Sequence, residues 1–163
     1  MTRIKLKVLL TSTLAVVFCT LSMGAAAQQN WPETIEIPKG FEGEGIELGK
    51  GHEFFVGANS LSSLFGEAFF GIPHEPSEFA GAIYKGNLST GEGAILSPPT
   101  GKSVSGLSYD PRTDYLYAAT GFGSGDASGN FTFTGQGVTV YDASSGDIIT
   151  EIRFGDGTGI TIN

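Results

Sequence analysis

Apolar positions recur along the chain in short runs of strand length, separated by Gly, Ser, Asn and Asp. Ile46 and Leu48 alternate with polar neighbours, and so do Ile35 and Ile37 within Thr34–Ile37. Phe54–Val56 is a short continuous run, the pattern of a central strand buried on both faces. Ile83–Leu88, Ala94–Ser97, Tyr115–Ala119, Val138–Tyr141 and Ile148–Phe154 follow, each bounded by turn residues. Ser89-Thr90-Gly91-Glu92-Gly93 and Ser144-Ser145-Gly146-Asp147 read as hairpin turns. Tyr109-Asp110-Pro111-Arg112-Thr113-Asp114 reads as a turn in which Pro fixes φ and Asp caps the backbone.

These runs form an internal repeat. Glu44–Gly49 followed by His52–Ala58 lines up with Ser105–Asp110 followed by Asp114–Thr120, and Gly81–Gly91 lines up with Gly137–Gly146. Each copy reads as strand, turn, strand, loop, strand, turn, strand. That is the make-up of one β-propeller blade, which needs neighbours to bury its faces. The predicted fold is all-β: a partial β-propeller of about two four-stranded antiparallel blades. The predicted organisation is a lead-in strand (28–40), a first blade (41–98) with an insertion (59–80), a second blade (104–154), and the start of a third (160–163). Ile46 and Leu48 are expected to face inward on the innermost strand.

Two stretches interrupt the pattern. The insertion carries Phe65, Phe69, Phe70 and Phe79 without a clean period, and 60–70 could make a short helical turn. Gly121–Gly135 reads as a Gly/Ser/Thr-rich loop holding Phe122, Phe131 and Phe133.

The first 27 residues stand apart. Arg3, Lys5 and Lys7 precede a mostly apolar run, Val8–Met23, and Ala25-Ala26-Ala27 supplies the small residues of a cleavage site. This predicts a secretory signal peptide and an extracellular protein. The single cysteine, Cys19, falls inside that segment, so no internal disulfide is expected. Without the leader the chain has 6 basic and 17 acidic residues, a net charge of −11. Such a surface disfavours nucleic acid and anionic membrane as partners. Asn87-Leu88-Ser89 and Asn130-Phe131-Thr132 match the N-glycosylation pattern.

The pattern resembles the calcium-dependent six-bladed propellers grouped as gluconolactonase, senescence marker protein and luciferin-regenerating enzyme. The resemblance is carried by Gly40-Phe41-Glu42-Gly43-Glu44-Gly45-Ile46, by the turns Ser89-Thr90-Gly91 and Ser144-Ser145-Gly146, and by Thr161-Ile162-Asn163. It covers 32–163, about the first third of such a ring. It implies a divalent cation, calcium, in a central tunnel, with Glu44 and Asn163 as metal ligands. One Glu and one Asn cannot complete a site that takes ~6–8 oxygens. The carboxylate that serves the family's chemistry has no counterpart here. The implied function is the N-terminal part of a secreted hydrolase-like propeller acting on a lactone or phosphoester, inactive by itself. The alternative is a non-catalytic extracellular scaffold using its phenylalanine-bearing loops as the contact surface. Self-association is a third expectation, since three copies could supply six blades.

Other candidates carry less. Ser105 takes the place of Glu44 in the second repeat. His52 reads as an exposed turn residue and His74 as a surface loop residue, and the pair lacks zinc-like spacing. Gly121-Phe122-Gly123-Ser124-Gly125 lacks the Lys-Ser/Thr of a phosphate loop, and Asp126–Asn130 lacks the acidic series of a calcium loop.

Overall fold

The computed structural model describes residues 30–59, 77–125, 131–155 and 160–162. These residues form an all-β protein of two antiparallel sheets, with no helix among them. The first sheet is a meander of β1 (Gly43–Leu48), β2 (Glu53–Ala58), β3 (Ile83–Asn87) and β4 (Gly93–Ser97). The second repeats it with β5 (Ser103–Asp110), β6 (Tyr115–Gly125), β7 (Phe131–Asp142) and β8 (Ile148–Arg153). A short β9 (Ile160–Ile162) pairs with β7.

The internal repeat survives as a repeat of hydrogen bonds. In the first sheet Gly91 N–H donates to Asn87 O and Leu88 N–H to His52 O, both at 2.8 Å. In the second, Gly146 N–H donates to Asp142 O at 2.8 Å and Ala143 N–H to Asp114 O at 2.9 Å. The Asn87 amide oxygen accepts from Ser89 N–H, and the Asp142 carboxylate accepts from Ser144 and Ser145 N–H. These are Asx turns, in which a short polar side chain satisfies backbone donors of the hairpin. Gly91 and Gly146 close them at φ +75° and +81°, where a side chain is strained.

Pairing partners point to one side of a sheet, so the register separates the faces. One face of the first sheet presents Phe55 and Ile83 to the second sheet, which answers with Val104, Leu116, Ala118, Tyr141 and Ala143. All of these are essentially fully buried. The opposite face of the first sheet gathers Phe54, Ala58 and Tyr84 beneath Phe41, Ile35 and Phe79.

Three expectations need correction. Ile46 and Leu48 lie opposite Val56 and Phe54 on the face turned away from the second sheet, and are 66% and 63% exposed. Alternation fixed their common side but not which side is covered. Their counterparts Leu107 and Tyr109 pack onto the core only because the first sheet lies over them. Thr34–Ile37 joins no sheet: the lead-in chain crosses the outer face of the first sheet, with Ile35 in its cluster and Tyr84 O–H donating to Glu36 O at 3.2 Å. The stretch expected as a loop after Gly121 is largely a β-ribbon, since β6 runs on to Gly125 and β7 begins at Phe131. Phe122, Phe133 and the threonines at 132 and 134 suit a pleated ladder better than a loop.

β9 also differs from the expected opening of a third unit. β8 covers β7 only from Gly137 onward, leaving the edge at Phe131–Phe133 open. β9 satisfies those backbone groups by joining the second sheet. The helical turn expected within 60–70 lies outside the described residues.

Candidate functional site

The first strands of the two sheets, β1 and β5, meet backbone to backbone. A Cβ placed on Gly45 would stand 3.3 Å from Gly106 Cα and 3.4 Å from Ser105 O. Both strands are irregular there: the register shifts between Glu44 and Ile46 in β1, and between Val104 and Gly106 in β5. A bulge beside a glycine re-aims the neighbouring side chains and lets two backbones approach. Glu44 sits at this junction, opposite Gly57, and is exposed. Ser105 lies across from it and is exposed as well.

The junction offers a carboxylate, a hydroxyl and a carbonyl. Those are oxygen donors of the kind calcium takes, but too few for its ~6–8 ligands. No group of three or more His, Cys, Asp or Glu side chains among the described residues could hold a metal ion. Asn163, the other expected ligand, lies outside the described residues, as do Asn130 and His74. Asn87 is placed, half-buried in its turn with its amide oxygen engaged by Ser89. His52 packs edge-on against Trp31 at a centroid distance of 5.3 Å.

A cleft of about 240 Å³ opens beside Ser105 on the uncovered face of the second sheet. Ser103, Ser105 and Gln136 line it with neutral polar groups, and Phe133 and Phe154 wall it. Thr120 borders it too, but its hydroxyl meets that of Thr139 at 2.9 Å in the buried layer on the other face of the sheet. None of the described lining residues is titratable, and the cleft's concave shape suits a bound ligand. Ser103, Thr120 and Gln136 were not singled out by sequence reasoning. The available signal was Gly121 and Gly123, two residues apart in β6, which leave the floor without side chains.

Charged groups cluster instead along the seam between the sheets. Lys85 pairs with Glu53 at 2.9 Å and donates to Ala143 O at 3.1 Å, which ties β3 to the second sheet. Tyr109 N–H donates to the Glu47 carboxylate at 3.2 Å, a second tie. Asp114, at φ +58°, accepts from Tyr109 O–H at 2.7 Å and from Ser144 O–H at 2.6 Å. The Ser144 and Tyr109 bonds hold the Asp114 carboxyl below the usual range. The same Asp114 bond, followed by burial, pushes the Tyr109 phenol up to about 12.

No helix among the described residues is long and apolar enough to cross a membrane. No protein-family model matches the chain, and no curated protein or solved structure matches it either.

Proposed function

We propose that the two sheets are consecutive blades of a β-propeller and that Glu44 contributes one ligand to a calcium site on its axis. One observation carries this reading. The innermost strands crowd together at Gly45 and Gly106, and an exposed carboxylate stands at that point. The repeated turn bonds support the same reading, since blades are copies of one unit. In this role the protein is secreted and hydrolase-like, acting on a lactone or phosphoester. The cation would supply Lewis-acid polarisation of the reacting oxygen. This chain's residues supply scaffold and a ligand, not the proton-transfer groups.

A second reading is a non-catalytic extracellular scaffold. The uncharged cleft at Ser105 and its phenylalanine walls favour it, because they offer binding without catalysis.

Calcium titration followed by thermal unfolding separates the two. At about 10 mM calcium and a Kd of about 1 mM, binding adds about 1.4 kcal/mol. Because these residues are only part of a ligand set, the expected result is a raised Tm once further blades complete the ring, and none in that ring carrying Glu44→Gln. A completed ring indifferent to calcium removes the first reading and leaves the scaffold.

A further inference from the structure

We propose that a second pocket, walled by Lys102, Phe122, Gln136, Arg153 and Phe154, binds a small aromatic carboxylate. Its volume is about 300 Å³, at the lower end for small-molecule sites, which limits the size of the ligand. It lies on the opposite side of the second sheet from the cleft at Ser105. Ala119, Gly121 and Gly123 floor that cleft, whereas Phe122 belongs to the side on which Ala118 and Val104 meet the first sheet. Glu151 pairs with Thr139, which pairs with Ala118, so Glu151 and Arg153 share that side. Lys102 arrives from the connection between the two sheets. The pocket thus sits at the foot of the ribbon that β6 and β7 form beyond β5.

The ligand's charge follows from the basic groups. Without the leader the chain has 6 basic residues, and Lys102 and Arg153 both line this pocket. Lys102 is already engaged: its Nζ lies 2.5 Å from Glu151 Oε1 and 6.0 Å from the centre of the Phe122 ring. Arg153 approaches the same carboxylate only to 3.9 Å, beyond hydrogen-bond reach, and its side chain is 79% exposed. Its planar fork of donors is open to a second carboxylate. Two cations and one carboxylate leave a single positive charge, which matches a monoanion. A dianion such as phosphate would find no second cation and would be repelled by the chain's net charge of −8. The ligand's body follows from the rings. Phe122 and Phe154 are 44% and 59% exposed beside the guanidinium. A Cβ on Gly135 would stand 3.0 Å from the Phe122 ring, so the glycine lets that ring lie against the ribbon. Exposed rings next to a cation suit an aromatic body that carries its carboxylate at one end.

An NMR titration of the chain with sodium benzoate tests the site. It is run in EDTA, so its outcome is independent of the calcium reading. The expected result is a saturable shift of amide resonances around Phe122 and Arg153, with a Kd of about 1 mM that weakens as salt is added. Benzamide, of the same shape but uncharged, should bind about tenfold more weakly or worse, and inorganic phosphate should not compete. Arg153→Gln should weaken benzoate by about tenfold, and Arg112→Gln, on a distant turn, should leave it unchanged. Phe122→Ala carries the test should Arg153→Gln disturb the remaining resonances. No saturation below about 20 mM benzoate overturns the proposal. So do equal affinity for benzamide, preference for phosphate, and binding indifferent to both Arg153→Gln and Phe122→Ala.

Discussion

At the scale of single residues, glycine and tyrosine positions decide how tightly the layers fit. A Cβ on Gly57 would meet Val104 Cγ1 at 2.2 Å and Val104 Cβ at 2.8 Å, both in the buried layer between the sheets. Gly57→Ala should cost about 1–3 kcal/mol through overpacking. Val104→Ala in the same chain should recover part of that loss, because the two side chains compete for one space. Urea unfolding of the two single variants and the double variant measures the coupling, and strict additivity would contradict the packing. Tyr141 presents the opposite fault. Its ring is fully buried, and its hydroxyl has no hydrogen-bond partner, the one such side-chain atom among the described residues. Tyr141→Phe removes a desolvated donor at no cost in shape, so stability should stay level or rise by up to about 1 kcal/mol. A loss of more than that would mean that the hydroxyl is satisfied in solution.

At the scale of elements, the hairpin turns carry the pH dependence. Backbone donors from Ser145 and Ser144 lower the Asp142 carboxyl, Ser144 and Tyr109 lower that of Asp114, and Lys102 lowers that of Glu151. Each binds its proton less readily folded than unfolded. They therefore add stability above the ordinary carboxylate range and lose it as the pH falls through their lowered values. Tyr109 works in the other direction: its contribution is present below 10.0 and is lost as the pH rises toward about 12. Tm should be level near neutrality and fall below about pH 4, with Asp142→Ala showing a shallower fall. A Tm that rises on acidification would refute the turn assignment. These turns were also the most legible part of the sequence. Asn87-Leu88-Ser89 and Asp142-Ala143-Ser144 announce themselves by local chemistry, and so do the strands they join. What could not be read locally was which side of a strand finds a partner. Ile46 and Leu107 sit in equivalent strands, yet only Leu107 has a sheet over it. The cleft was hidden for a similar reason: its lining comes from β5, β6 and β7, and only the register brings the strands together.

At the scale of the whole molecule, the shared layer makes the two sheets one folding unit. Phe55 and Ile83 of the first sheet and Leu116 and Tyr141 of the second belong to a single buried cluster. Separating the sheets would expose all four side chains to water at once, about 1.5–3 kcal/mol for each aliphatic or aromatic group. Calorimetry should therefore show one transition, with calorimetric and van't Hoff enthalpies in agreement. Two resolved transitions would show that the layer contributes little.

The spacing of the layers has a further consequence. The sheets touch backbone-near at three separate places: Gly45 against Gly106 at one end, Gly57 under Val104 in the middle, and Gly146 against Leu96 at the other. Supports at both ends and in the middle hold two plates at a fixed spacing. Trimming a large side chain from the interior should thus leave a void rather than let the plates settle together, so the tilt between them would outlast much of the stability that accompanies it.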